Sequence, residues 1–178
     1  MDFYTGRLLR IDLTDGRAAV EPLNEAWLRL YVGGKGLLLR YLFQELRPGT
    51  APLDPESPLL PVTGPFAGTA APTCSRLAVG RKSPATGLLL DSYVGGSSAP
   101  ELKFAGYDVL VLQGRSPEPS VVVIRDDTLT IGPGRGYWGM TTSELESALR
   151  AHVDPRARVL SVGPAGANLL PTACLSTD

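Results

Sequence analysis

The residues that most often hold metals or build covalent frameworks are scarce in this sequence: its 178 residues include two cysteines, Cys74 and Cys174, and one histidine, His152. Two distant thiols make no disulfide framework, and with a single imidazole they make no metal cluster held by this chain alone. So few thiols fit a reducing, cytoplasmic location best. An excess of charge of one sign is also missing. Seventeen basic residues face eighteen acidic ones, and the arginines are scattered rather than gathered into a stripe that could track phosphates, which argues against nucleic acid. Long apolar runs are absent as well. Stretches such as Leu37-Leu38-Leu39 and Val109-Leu110-Val111-Leu112 fall far short of the roughly 20 residues that cross a membrane. The opening MDFYTGR lacks the apolar centre of a signal peptide.

What is present is a hydrophobic content of 43%, enough to bury a real core in one domain or two small, intimate lobes. Twenty glycines and sixteen prolines lie between apolar runs rather than in low-complexity tracts, as punctuation does in a fold of short strands.

Strands and helices follow from periodicity. Residues 7–13 alternate apolar with polar, Asp15-Gly16 offers a tight turn, and residues 18–23 return, which predicts a β-hairpin. Asn24 is placed to cap a helix, and Trp27, Leu30, Tyr31, Leu37, Leu38, Tyr41, Leu42 and Leu46 follow at helical spacing. Gly33-Gly34 and Gly36 interrupt that pattern, so two helices or one broken helix are expected. A proline-rich loop at 52–58 leads to short strands at 59–63, 77–80 and 87–90. A helical turn is expected at 101–106, and strands at 108–113, 120–124 and 129–131 read as a meander. Thr141-Thr142-Ser143-Glu144 has the capping-box pattern and opens a helix that Asp154-Pro155 stops; 159–162 is the last clear strand.

The chain also echoes itself. LLPVTGPFAGTAAPTC at 59–74 resembles VLSVGPAGANLLPTAC at 159–174, so Gly64-Pro65 and Pro72-Thr73 recur as Gly163-Pro164 and Pro171-Thr172. The order of strands, helix and Gly-Pro strand in each half suggests two β-rich structural repeats, roughly 1–100 and 101–178, sharing one core. Chance similarity in a chain rich in glycine and proline is the alternative.

No nucleotide, zinc or nucleophile motif accounts for this chain. Gly33-Gly34-Lys35-Gly36 lacks the spacing of a P-loop and the strand that should precede it, so a structural kink is the better reading. His152 sits where an imidazolium would favour the end of a helix dipole. Cys74 reads as a packed thiol, although Arg76 beside it could tune a thiolate. Glu101 and Lys103 could pair across one helical face or simply be solvated. Arg76 follows a Pro-Thr corner and precedes a strand, so its planar fork could meet an anion over the sheet. Downstream, TGLLLDSYVGGSS at 86–98 is an apolar strand opening into Asp91-Ser92-Tyr93 and the bare pair Gly95-Gly96. Successive unshielded N–H groups there suit a planar or anionic ligand; an ordinary bulge or turn would look the same.

APTCSRLAVGRKSPATG at 71–87, DSYVGGSSAPELKFAGYDVLVLQGR at 91–115 and SVGPAGANLL at 161–170, with the earlier GRLLRIDLTDG and YVGGKGLLLRYL, together resemble the N-terminal domain of the tungsten-dependent aldehyde ferredoxin oxidoreductases. The resemblance implies an α+β fold with two structural repeats and a few packed helices, forming the base on which a tungsten (or molybdenum) held by two pterin dithiolenes lies. It implies that residues 1–178 are a single cofactor-cradling domain, in which Arg76 meets pterin phosphate and Tyr93, Val94, Gly95 and Gly96 form the floor. Tyr93 departs from the asparagine that well-known members carry beside a magnesium bridging the pterin phosphates; a backbone carbonyl could still serve there.

The family's four cysteine ligands for a [4Fe–4S] cluster, its groups over the metal, its substrate channel and its loop for the second pterin are expected outside these residues. The resemblance therefore implies a domain of an enzyme that oxidises aldehyde to carboxylate and passes electrons to ferredoxin. Its partner is expected to be C-terminal cluster and substrate domains or a partner subunit, and the isolated chain is expected to be inactive. A non-catalytic binding or assembly module of the same fold is the competing expectation. Other members of the family act on aromatic acyl thioesters or carbohydrate aldehydes. An apolar face left for missing domains would favour self-association into a homo-oligomer.

Overall fold

A computed structural model describes residues 3–170 and 172–177. The elements in chain order are β1 (Arg7–Asp12), β2 (Arg17–Pro22), α1 (Glu25–Tyr31), α2 (Gly34–Glu45), β3 (Leu60–Val62), β4 (Leu77–Lys82), β5 (Leu89–Val94), α3 (Ser98–Phe104), β6 (Val109–Gln113), β7 (Ser120–Arg125), β8 (Thr128–Pro133), α4 (Thr142–His152), β9 (Leu160–Val162), α5 (Pro164–Ala167) and β10 (Leu175–Thr177). This is an α+β fold with mixed sheets and few helices.

The hairpin forms where alternation predicts it, with Arg7 opposite Pro22 and Asp12 opposite Arg17. Six strands join in the order β2-β1-β6-β3-β4-β5. β6 runs parallel to β1 and antiparallel to β3, so the expected meander of β6, β7 and β8 does not form. The continuous apolar run of β6, buried at Val109, Leu110 and Val111, is that of a central strand covered on both faces. β7 and β8 instead make a separate hairpin, and β9 and β10 a second two-stranded ladder.

Period-two alternation divides the core. On one face Leu8, Leu60, Val62, Ala78, Val109 and Val111 meet Leu28, Leu37, Leu38, Tyr41 and Leu42 of α1 and α2. On the other face Leu9, Ile11 and Leu110 meet Val122, Ile124, Leu129 and Ile131 of the β7–β8 hairpin. Each fully buried leucine stabilises the fold by roughly 1.5–3 kcal/mol.

The glycine-rich interruption is an elbow. Asn24 caps α1 by accepting from the Trp27 N–H at 3.1 Å, and the chain turns through Val32 at φ 63° and Gly34 at φ 48°. The Gly34 N–H donates to Thr63 O at 3.0 Å. A Cβ on Gly33 would lie 3.0 Å from Pro65 Cδ and 3.1 Å from Thr63 O. The elbow thus seats directly on the Gly64-Pro65 corner after β3, which leaves little room for a side chain on Gly33, while the positive φ of Gly34 favours glycine there.

Beneath that corner lies a buried ion pair. Asp108 is 1% exposed; its Oδ2 accepts from Thr5 Oγ1 at 2.9 Å and the Gly6 N–H at 2.8 Å, and its Oδ1 accepts from Lys103 Nζ. Lys103 therefore pairs with Asp108 rather than lying across a helical face from Glu101. The Thr63 N–H and Oγ1 both donate to the Asp108 carbonyl.

The capping box opens α4, with Thr141 Oγ1 accepting from the Glu144 N–H and the Glu144 carboxylate accepting from the Thr141 N–H at 2.8 Å. Three elements carried too little local signal to be expected: α5, β10 and a 3₁₀ turn at Arg135–Tyr137. Gly64-Pro65 follows β3 and Gly163-Pro164 follows β9; Pro171 of the echo lies outside the described residues.

Asp108→Ala should lower stability by about 3–5 kcal/mol, because it leaves the Lys103 ammonium buried without its partner. Urea unfolding measures this; a loss below about 1 kcal/mol would show that the clamp is dispensable.

Candidate functional site

Four of the five predicted site residues are set by one ladder. β4 pairs with β5 so that Leu77 faces Val94 and Ala78 faces Tyr93. The residue before β4, Arg76, and the residue after β5, Gly95, therefore leave the ladder side by side. Arg76 is exposed, and among the described residues it makes no hydrogen bond or ion pair. Its guanidinium stands at the end of the sheet with all its donors free.

The two glycines differ in kind. Gly96 sits at φ 82°, a left-handed conformation that any Cβ would strain, so the turn into α3 requires it. At Gly95 a Cβ would meet nothing within 4 Å and φ is not in the left-handed range. Nothing in the chain's own packing explains why Gly95 lacks a side chain. It leaves room over the backbone beside Arg76.

Tyr93 and Val94 face opposite ways. Val94 packs inward against Ala67, Leu77 and Ala99, so it offers only backbone. Tyr93 is 45% exposed, and its hydroxyl donates to Asp91 Oδ2 at 2.7 Å while Lys35 Nζ lies 3.1 Å from Asp91 Oδ1. Asp91-Ser92-Tyr93 is thus part of β5, not a corner after it, because all three residues continue the pairing with β4. The Tyr93 hydrogen bond, with Lys35 beside it, holds the Asp91 carboxyl below the usual carboxylate range, and the same carboxylate pushes the Tyr93 phenol up. The phenol is engaged with Asp91, so Tyr93 does not present its side chain as a metal ligand. Lys35 was not foreseen here: it lies in the glycine-rich elbow, far from β5 in sequence.

Beside this ladder end, the loop after the Gly64-Pro65 corner and α3 enclose a cleft of about 310 Å³ lined by Phe66, Thr69, Thr73, Cys74, Ser75 and Phe104, among others. Thr73 is held at φ 59°, and the Cys74 thiol lies 3.3 Å from Pro72 O. Ser75 joins the cleft wall directly to Arg76. A wider depression of about 750 Å³ beside α4, lined by Trp138, Met140, Ser143, Glu144 and Ser147, holds none of the predicted residues. His152 stands 3.3 Å from the Tyr137 hydroxyl, apart from the cleft. Among the described residues no three His, Cys, Asp or Glu side chains gather as a metal site, and no helix is long and apolar enough to cross a membrane.

An unpaired arginine and an unshielded glycine side by side at the end of a sheet leave free cationic donors next to open backbone. Residues 8–178 match the model of the aldehyde ferredoxin oxidoreductase N-terminal domain. The chain belongs to that family. It is 37% identical over 174 residues, 97% of its own length, to the tungsten-containing aldehyde ferredoxin oxidoreductase of Pyrococcus furiosus, and 38% identical over 174 residues to that of Thermococcus kodakarensis. It is 33% identical over 158 residues to an aliphatic sulfonate oxidoreductase, WOR-like subunit, of Pyrococcus furiosus. Among solved structures it superimposes with a TM-score of 0.96 at 34% identity on a chain of the active site complex BamBC of benzoyl coenzyme A reductase, covering 98% of this chain and 27% of that one. The chain spans 29% of the length of the first two relatives. Tungsten-containing relatives imply a pterin cofactor for the family.

The Asp91 tie should contribute stability at neutral pH that is lost in acid. A carboxyl held below its unfolded value of about 3.9 stabilises the fold above that pH and ceases to as the pH falls through the lowered value. Comparing unfolding of the native chain and Asp91→Asn across pH should show a gap at neutrality that closes in the acid range. A gap independent of pH would contradict the assignment.

Proposed function

We propose that this chain is the tungstopterin-cradling domain of an aldehyde ferredoxin oxidoreductase-like enzyme. The observation that carries this reading is the free Arg76 guanidinium placed beside Gly95, whose missing side chain the fold itself does not require.

The residues present fit a pterin phosphate. Arg76 would donate charge-assisted hydrogen bonds to it, each worth about 1.5–3 kcal/mol, without first releasing another partner. Val94 and Gly95 would offer backbone, and Gly96 would fix the turn that keeps it open. Tyr93, held by Asp91 and Lys35, would form a wall rather than a ligand for a magnesium ion between the pterin phosphates; such an ion would need backbone carbonyls. The tungsten or molybdenum centre, when bound, supplies the two-electron oxidation and oxygen transfer that convert aldehyde to carboxylate. This domain's part is to bind and orient that group. The [4Fe–4S] cluster, the path to ferredoxin and the substrate pocket belong to polypeptide outside these residues, either further domains or a partner subunit.

Arg76→Ala in the assembled enzyme should cut metal and pterin content at least about tenfold if one charge-assisted contact is lost. Gly95→Val should do the same while changing the stability of the chain by less than about 0.5 kcal/mol, since it meets open space. Metal analysis and pterin fluorescence read the first effect, urea unfolding the second. Full cofactor content in both variants would overturn the roles given to Arg76 and Gly95; an assembly that holds neither metal nor pterin would favour a non-catalytic assembly module over a cofactor cradle.

A further inference from the structure

Aspartate is disfavoured in the middle of a strand, and what surrounds Asp91 accounts for its place in β5. It stands opposite Gly80 in the β4–β5 ladder. A Cβ on Gly80 would collide with the Leu38 side chain, so α2 rests on the bare position beside Asp91. Lys35 lies three residues before Leu38, on the same face of α2, and its ammonium comes to 3.1 Å from Asp91 Oδ1. The elbow leaves Lys35 little freedom to shift. The Gly34 N–H is bonded to Thr63 O, and a Cβ on Gly36 would collide with Tyr31 O.

The same carboxylate sets the direction of Tyr93. Asp91 and Tyr93 share one face of β5 at the two-residue period of a strand, and Gly95 is the next residue of that row. Ala78, opposite Tyr93, packs with α2 on that face, and Arg76 is the next residue of its row in turn. The Tyr93 hydroxyl donates to Asp91 Oδ2 at 2.7 Å, which turns the ring back along β5, toward Lys35 and away from Gly95. Both carboxylate oxygens are then engaged, one by the phenol and one by the ammonium.

Without that hydrogen bond the ring has a second place to go. Residues two apart on a strand stand roughly 7 Å apart, within reach of a tyrosine side chain, and nothing lies within 4 Å of where a Cβ on Gly95 would be. Arg76 is the diagonal neighbour of Tyr93 across the ladder, at a separation that aromatic and long side chains bridge. It is exposed and has no partner among the described residues. A ring turned forward would cover the Gly95 backbone and lie against the guanidinium, a contact that draws a cation to an aromatic face. Tyr93 is 45% exposed, so burial holds the ring only weakly and the bond to Asp91 decides its direction.

We infer that Asp91 and Lys35 are positioning residues that keep the backbone beside Arg76 open, by holding the Tyr93 ring off it. This rests on the reading of Arg76 and Gly95 as the contact for an anionic group, and it adds what controls access to them. The Tyr93 hydroxyl matters for where it parks the ring, not for touching the bound group. Lys35 acts at one remove, since its ammonium fixes the carboxylate to which the phenol is bound. With the tie broken, ligand and ring compete for one place, and the apparent affinity falls by the fraction of molecules left open.

Two measurements on the 178-residue chain test this, the first with pyrophosphate as the probe. Tyr93→Phe keeps the ring but loses the tie, so pyrophosphate affinity should fall at least about threefold. Tyr93→Ala removes the ring as well, so affinity should return to within about twofold of the native chain. Neither variant changes the charge of the site. A hydroxyl that touched the ligand would make both variants equally weak, and that result would overturn the inference, as would an Ala variant weaker than the Phe variant. The second measurement reads the ring itself, through NMR cross-peaks between the ring of residue 93 and the Gly95 Hα or Arg76 Hδ protons. They should be absent from the native chain and from Lys35→Arg, and present in Tyr93→Phe, Asp91→Ala and Lys35→Met. Cross-peaks in the native chain, or none in Tyr93→Phe and Asp91→Ala, would overturn the inference whether or not pyrophosphate binds. A native chain that binds no pyrophosphate while the ring moves as expected would instead overturn the phosphate role of Arg76 and leave the tie standing, so the two readings fail separately.

Discussion

The Asp108 carboxylate ties the segment entering β1, through Thr5 and Gly6 about a hundred residues away, to the end of α3, through Lys103, and to the start of β6, which it directly precedes. Its own carbonyl takes both donors of Thr63, which fixes the corner on which the Gly33-Gly34 elbow rests. Desolvating a carboxylate and an ammonium costs several kcal/mol each, and only full hydrogen bonding on both sides makes that tolerable. Here the carboxylate is met by two further donors, and the ammonium also reaches Gly64 O at 3.4 Å. The geometry that α3 and β3 impose on the cleft therefore follows from one saturated pair, and the loop between the Gly64-Pro65 corner and β4 is held at both ends by it and by the β4–β5 ladder.

This arrangement separates rigidity from recognition. The strands that carry Arg76 and Gly95 are paired along six residues, and a Cβ on Gly80 within them would fall 2.4 Å from Leu38 Cδ2 and 2.8 Å from Leu90 O, so α2 sits tightly on that ladder. The residues immediately beyond its end are small or free of partners. A ligand meeting them would find a backbone that does not need to be ordered, which removes part of the entropic cost of binding.

Local chemistry was legible in the sequence; long-range pairing was not. Asn24, the Thr141 capping box and the β1–β2 hairpin were read correctly because each depends on residues within a few positions. β6 was misread as a member of a meander although VLVLQ lacks the alternation of a strand with one wet face, and that continuous run was the available signal for a central strand. Lys103 and Asp108 are separated by a turn, and nothing in their spacing says that one buried site holds both. β10 is three residues long, too short to leave a pattern. The site was legible in part: the glycine pair was singled out, but only φ and the surrounding space distinguish Gly96, required by its turn, from Gly95, required by nothing in the chain. Lys35 belongs to the kink that the glycines predict, and its reach to Asp91 depends on how α2 lies across the sheet.

Two arginines in this fold show what an unpaired guanidinium means. Arg10 is half-buried and spends its donors on Glu21 and Glu45, at distances of 2.6–3.1 Å, and those carboxylates hold its pKa above the ordinary value. It ties β2 to α2 and has nothing left to offer an anion; a phosphate arriving there would have to displace two carboxylates in a partly desolvated setting. Arg76 is exposed, so leaving it unpaired costs little while water solvates it. Exclusion of that water by a large ligand would leave a cation that only an anionic partner can satisfy. A ligand buried there would therefore be selected by its charge, beside the open backbone that Gly95 leaves.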